Sequence, residues 1–332
     1  MAAAAAAAAM LDEPVLRPNP HRFTLMPIAY PDLWQRVEEA QQSFWVASIF
    51  DFAEDQKDWA TKLTPDERKF LTLNLAFFAG ADGIVMENLH SNFAQEVQVP
   101  EARHYYAFQE CIEAVHAETY ARMIDVLVTD PAEKLWAFHA ITEVDSIRRM
   151  SAWAQRYLNP ATHRFAERLL AFAIFEGVGF SGSFASIFFF KQKGLMPTLV
   201  ESNLYIARDE SSHQNFAVLL HSHLRHRVDH AVFLAMLTEF VALVEEFVCD
   251  ALNVALIGIN RDLMAQYIRS TADRLLVSLG WPKHYQVNNP FGWLDTIGIG
   301  NKANFFERRE HAYRTKVQSL PHTDFAAADT DF

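Results

Sequence analysis

The sequence predicts an all-α protein, a helical bundle with extra helices around it. Strand-like alternation is almost absent, Gly and Pro are sparse through the middle, and long apolar-periodic stretches follow one another between discrete breakers. The stretches fall at 31–47, 66–94, 102–129, 132–158, 162–192, 197–224, 229–257 and 260–280. Thr64-Pro65, Val99-Pro100, Asp130-Pro131, Asn159-Pro160, Gly194, Met196-Pro197 and Gly280-Trp281-Pro282 separate them. Thr64-Pro65-Asp66-Glu67 reads as a helix start, with a capping hydroxyl, Pro in the first turn and acids behind it. Thr129-Asp130-Pro131-Ala132-Glu133 reads as another.

Composition narrows the class. The chain has 332 residues, 51% of them hydrophobic, with 27 Phe, enough for a thick aromatic interior. Its 29 basic and 41 acidic residues leave a net charge of −12 without a basic stripe, which argues against nucleic acid and anionic membrane as partners. Two cysteines, Cys111 and Cys249, are too few for a disulfide framework and point to a reducing, cytoplasmic compartment. Cys111 is expected to be a small buried hydrophobe.

The organisation is expected to be a disordered alanine-rich segment over 1–13, one bundle domain over 14–285, and a loosely ordered region with a flexible tail over 286–332. The stretch 169–190 has the length and hydropathy of a membrane span. Glu176 near its centre, its Ser and Gly residues, and the lack of a comparable neighbour make it the central helix of a large core instead. An ionised Glu176 there is costly unless paired or metal-bound. Gly177, Gly179 and Gly182 beside it fit close helix packing, a local π-type widening, or both.

Two Glu-x-x-His motifs give Glu176 a role. Glu113 and His116 follow Asp82, and Glu210 and His213 follow Glu176. The intervals are 31 and 34 residues, about nine turns at ~3.6 residues per turn. A carboxylate and an imidazole at i, i+3 leave one face of a helix together. Two helices giving single carboxylates and two giving Glu-x-x-His supply the dinuclear site of ferritin-like bundles. Four carboxylates and two imidazoles suit Fe or Mn better than Zn. Two further copies, Glu87/His90 and Glu101/His104, are read as decoys. Glu87 stands five residues from Asp82, and Glu101 stands at a helix start, where the dipole favours it. Tyr120, four residues after His116, shares the metal-facing side of its helix.

These residues carry a resemblance. The chain resembles the small, radical-generating subunit of class I ribonucleotide reductase, of the eukaryotic type, over about 12–332. The matching stretches include Ala76-Phe77-Phe78, Asp82-Gly83-Ile84-Val85, 93–103, 113–120, 176–187, Gly194-Leu195-Met196-Pro197, Arg208-Asp209-Glu210 with His213, and Asn304-Phe305-Phe306-Glu307. It implies two Fe ions per chain, with Mn as the alternative. Asp82, Glu113 and His116 would bind one, Glu176, Glu210 and His213 the other, with carboxylates bridging. It implies a stable radical on Tyr120, shielded by Phe180, Phe184 and Ile206. An electron route would run past His116, Asp209 and Trp45 toward Tyr313. The tail ending in Asp331-Phe332 would dock on a large subunit, which binds the ribonucleotide, and the small subunit would be a homodimer. The pattern departs after Trp45, where Val46-Ala47-Ser48-Ile49-Phe50-Asp51 replaces the acids usual there, leaving the setting of Trp45 open. Another di-iron oxidase, an iron-storage protein and a catalytically inactive partner are the competing readings.

Overall fold

The computed structural model describes residues 12–296. Tyr313 and Asp331-Phe332 lie outside them. The described chain divides after Pro290 into two compact units, and of the second only the short stretch ending in a helix at Gly292–Thr296 is described. No strand occurs among the described residues.

The long helices of the first unit are α1 (Pro31–Gln42), α2 (Ala53–Thr61), α3 (Pro65–Asn88), α4 (Pro100–Leu127), α5 (Pro131–Glu143), α6 (Asp145–Arg156), α7 (Phe165–Ile174), α8 (Ser181–Gln192), α9 (Pro197–Ser222), α10 (His230–Glu245) and α11 (Arg261–Ser278). The proline breakers are helix starts. Pro31, Pro65, Pro100, Pro131 and Pro197 each occupy the first turn, where a missing N–H costs nothing. Thr64 and Glu67 close a reciprocal capping box on α3, and Asp130 accepts from Ala132 N and Glu133 N at the head of α5.

Three expected stretches change their bounds, and one helix is new. The stretch 31–47 stops being helical at Gln42, so Trp45 lies on a non-helical segment before a 3-10 turn at Ala47–Ile49. Helix α2 is an addition to the expected stretches rather than a shifted one, since its largely polar sequence carries no apolar period. The stretch 132–158 is two helices that break at Val144. The stretch 229–257 leaves α geometry after Glu245, for a wide turn at Glu246–Ala251 and a 3-10 turn at Val254–Ile257. Cys111 is exposed, against expectation, because it points from α4 opposite to the face that carries Glu113; Cys249 is buried.

Helix α3 packs on α4 and α5, α9 packs on α7 and α8, and α1 lies along α4. The apolar segment Phe165–Gln192 is long enough for a membrane span, but its most apolar window is 94% buried inside the protein. Some of its polar groups are matched, while Glu176 Oε1 and Ser183 Oγ are buried without a hydrogen-bond partner. Arg168, 2% exposed, pairs with Glu96 through both terminal nitrogens, and the Ser183 carbonyl accepts from Asn74 Nδ2. The three glycines serve both expected purposes. Residues Phe175–Gly179 form a π turn, and a Cβ on Gly179 or Gly182 would press on Phe240 or Val248 at 3.2 and 2.9 Å.

Helix α9 is anchored at its N-terminus by α2. Asp55, fully buried, accepts from Thr198 N at 3.0 Å and from Leu199 N at 2.6 Å. Asp58 accepts from Met196 N at 3.0 Å, where Met196 takes a left-handed conformation (φ 54). Free helix-start N–H groups are thus satisfied from another helix. Asp55→Ala is expected to cost about 2 kcal/mol, seen as a lower urea midpoint at unchanged slope. At the other end of α9, buried His221 accepts the Val228 N–H at Nε2 (3.3 Å) and must be neutral to do so. Burial and the Arg227 charge push its pKa down to about 4. The unfolded chain therefore binds this proton first, and His221 removes stability as pH falls from about 6.5 to about 4. His221→Asn should flatten the dependence of the urea midpoint on pH across that window.

Candidate metal centre

Four helical segments converge on one buried cluster. Helix α3 brings Asp82, α4 brings Glu113 and His116, the π turn between α7 and α8 brings Glu176, and α9 brings Glu210 and His213. All six are between 0 and 4% exposed. Their ligand atoms form two groups, each within 4.8 Å: Asp82, Glu113 and His116; and Glu113, Glu176, Glu210 and His213. Glu113 belongs to both. His116 Nδ1 lies 3.3 Å from Glu113 Oε2 and 3.1 Å from Glu210 Oε1. His213 Nδ1 lies 3.0 Å from Glu113 Oε1 and 3.3 Å from both Glu176 Oε2 and Glu210 Oε2.

The donor set fits divalent metal. Both oxygens of Asp82 and of Glu113, and one each of Glu176 and Glu210, are buried without a hydrogen-bond partner, as is His116 Nδ1. Buried polar atoms are almost always satisfied, so a concentration of orphans aimed at one point marks the place of cations. Protonation equilibria report the same crowding. Burial, then the neighbouring Glu113, raises the Asp82 carboxyl well above its usual range, and burial, then Glu210, does the same to Glu176. Burial opposes charge on His116 and His213 too, but the carboxylates around them outweigh it and both imidazoles are raised.

The cluster has two polar extensions. On one side His116 Nε2 lies 3.2 Å from Asp209 Oδ2, which accepts from Trp45 Nε1 at 2.7 Å. The Trp45 and His116 rings stack at 5.7 Å and 23°. Arg208 donates to Asp209 Oδ1 and to the Ser43 carbonyl, tying down the segment before Trp45. The alternatives for Asp209 thus coexist: it binds Arg208 and also joins Trp45 to His116. The altered residues after Trp45 do not disturb that link. Phe50 and Tyr205 meet the indole edge-on at 5.5 and 5.8 Å. On the other side Tyr120 is fully buried, and burial, then the Asp82 charge, pushes its phenol well above the usual range. It donates to Asn203 Oδ1 at 2.9 Å and stacks on Phe78 at 4.7 Å and 5°. Phe180 and Phe184 close over the far side of Phe78, and Ile206 is fully buried on the Asn203 side of α9.

Asn203, Phe78 and Tyr205 were not singled out from the sequence as part of these surroundings. Asn203 carried a signal: it lies seven residues before Glu210 on the same face of α9, polar between Leu199 and Ile206. The decoys are elsewhere. Glu87 and His90 are exposed, and Glu87 accepts from Ser91. Glu101 is wholly buried for a reason other than the helix dipole: its Oε1 accepts from Ala29 N and Tyr30 N.

Comparison with known proteins agrees with this geometry. The family model "Ribonucleotide reductase, small chain" matches residues 22–290. The chain belongs to that family. It is 50% identical to a ribonucleoside-diphosphate reductase small chain of Schizosaccharomyces pombe over 92% of this chain and 78% of the relative. It is 44% identical to human ribonucleoside-diphosphate reductase subunit M2, over 99% and 84%. A ribonucleotide reductase homodimer structure from Saccharomyces cerevisiae superposes with TM-score 0.80 at 30% identity, covering 94% of this chain and 96% of that one. A Clostridium botulinum R2 subunit, 22% identical over 80% and 88%, shares the fold at TM-score 0.75. Family membership takes the place of the oxidase and storage readings.

Burial already holds the Glu176 carboxyl toward its neutral form, so Glu176→Gln is expected to leave the metal-free fold within about 1 kcal/mol of the parent. The same change should lower the number of Fe(II) ions bound per chain. Thermal denaturation and metal titration on one sample test both, and unchanged stoichiometry would strike Glu176 from the ligands.

Proposed function

We propose that this chain is the radical-generating small subunit of ribonucleoside-diphosphate reductase, active only with a separate large subunit that binds the ribonucleotide. The observation that carries the reading is a wholly buried phenol on the helix that also carries Glu113 and His116, two of six buried side chains able to bind metal whose carboxylates keep six oxygens without a hydrogen-bond partner. Asp82, Glu113 and His116 would hold one iron, and Glu176, Glu210 and His213 the other, with Glu113 near enough to both groups to serve each. Oxygen and imidazole donors favour Fe, with Mn the alternative. When bound, the metal pair supplies the oxidising power of O2.

The rest is the work of the chain. Tyr120 would give up one electron to that oxidant together with its hydroxyl proton, which the oxygen being reduced takes up, and the Asn203 amide oxygen at 2.9 Å fixes the hydroxyl beforehand. Phe78, Phe180, Phe184 and Ile206 keep water from the ring. Trp45, Asp209 and His116 form the inner part of the route to the large subunit. Asp209 is held below the usual carboxylate range: burial works against this, and His116, Arg208 and Trp45 together outweigh it. It therefore stays ionised and holds the indole proton in place as an electron leaves Trp45. The route continues to Tyr313, and the tail ending in Asp331-Phe332 docks on the large subunit. The protein works as a homodimer in a reducing, cytoplasmic setting, with residues 14–285 as the metal-binding domain.

Electron paramagnetic resonance on apo-protein given Fe(II) and O2, with metal counting, tests this. A tyrosyl signal with about two irons per chain is expected. Tyr120→Phe should keep the fold and the metal and lose both the long-lived signal and turnover with the large subunit. Full reductase activity in that variant would sink the mechanism; two irons without a radical in the unaltered protein would point to an inactive partner.

A further inference from the structure

Helix α4 carries a polar stripe longer than the metal cluster requires. Glu101, Tyr105, Gln109, Glu113, His116 and Tyr120 follow at intervals of 4, 4, 4, 3 and 4 residues, and none is more than 1% exposed. Glu113, His116 and Tyr120 belong to the site above, and Glu101 secures Ala29 and Tyr30. Tyr105 and Gln109 have no part in either. Gln109 has neither amide atom hydrogen-bonded. The Tyr105 hydroxyl lies 3.0 Å from Ser212 Oγ, and its ring lies flat on Phe216 at 3.6 Å and 5°. Ser212 and Phe216 flank the ligand His213 on α9, and the charges of His213, Glu176 and Asp209 reach the phenol.

Packing alone does not ask for this hydroxyl. Phenylalanine fills nearly the same space, and a buried hydroxyl is costly unless it is bonded. The hydroxyl also differs from that of Tyr120 in its outlet. Tyr120 faces Asn203, which is itself fully buried, whereas Tyr105 faces Ser212, which is half-buried.

We propose that Tyr105 is a second oxidisable tyrosine of the metal centre, with Ser212 as its proton outlet. The proposal rests on reading the cluster as an O2-activating metal pair. In the step the Tyr105 O–H bond breaks. Its electron reduces the oxygen-activated metal pair, which is the oxidant. Its proton passes to Ser212 Oγ, which releases its own to solvent, and a neutral phenoxyl radical remains. Tyr105 takes oxidising equivalents that Tyr120 does not collect, which spares the ligands from oxidation. Closed surroundings make Tyr120 the store; a hydroxyl leading outward makes Tyr105 a short-lived relief site.

The test is freeze-quench paramagnetic resonance on full-length apo-protein mixed with Fe(II) and O2. The unaltered chain is measured first, and must give the long-lived Tyr120 signal. Tyr120→Phe is then expected to give a transient tyrosyl signal, and the double variant Tyr120→Phe/Tyr105→Phe at least tenfold less of it. Tyr120→Phe/Ser212→Ala should keep the signal but form it several-fold more slowly, with a smaller slowing in deuterated water. No tyrosyl signal in Tyr120→Phe, or one that survives loss of Tyr105, overturns this inference and leaves the function standing. No radical in the unaltered, iron-loaded chain overturns both.

Discussion

Four buried carboxylates facing one another are the constraint on which this structure turns. Such a group repels itself and has been stripped of water, and only two imidazoles offset it within hydrogen-bond range. Nothing local holds it together. It persists because each carboxylate is carried by a separate helix whose apolar faces pack elsewhere, with Phe78, Phe180 and Phe216 among the fully buried side chains. The fold supplies the energy and the cluster spends it. Cations bound there would reverse the balance, and loading with metal would then raise stability as well.

That constraint explains the geometry around it. The π turn at Phe175–Gly179 carries Glu176 into the cluster, and its glycines face close neighbours, Gly177 the Gln214 side chain on α9 and Gly179 the Phe240 ring on α10. The carboxylate anchors from α2 fix the start of α9, and α9 carries Asn203, Asp209, Glu210, Ser212 and His213. The setting of that one helix therefore governs two candidate ligands, the partner of Tyr120 and the link to Trp45.

Much of this was legible in the sequence because the candidate ligands obey helical spacing. The i, i+3 pairs and an acid inside an apolar helix are local signals that survive without knowledge of the fold. What was not legible depends on contacts between distant segments. Asn203 gains its role only when α9 meets α4. Helix α2 is mostly polar, and its buried Asp55 and Asp58 resemble surface acids until α9 is set upon them. Glu101 looked like a dipole partner because the segment it holds lies over seventy residues earlier. The exposure of Cys111 follows from helix phase: it is two residues before Glu113, and so on the opposite side of the cylinder.

The stripe on α4 has a geometric consequence. Its spacing averages slightly more than one α-helical turn, so from Glu101 to Tyr120 it winds about 100° around the cylinder. One edge of the helix thus meets Ala29 and Tyr30 at its start, α9 and the other ligand helices midway, and Asn203 near its end. A single inserted residue anywhere along that edge would turn everything beyond it by about 100°, detaching several contacts together. Side chains on α4 can be exchanged one at a time, but its winding is a shared property of the whole centre. Length changes can be absorbed only outside 101–120, in neighbours that already contain wide turns.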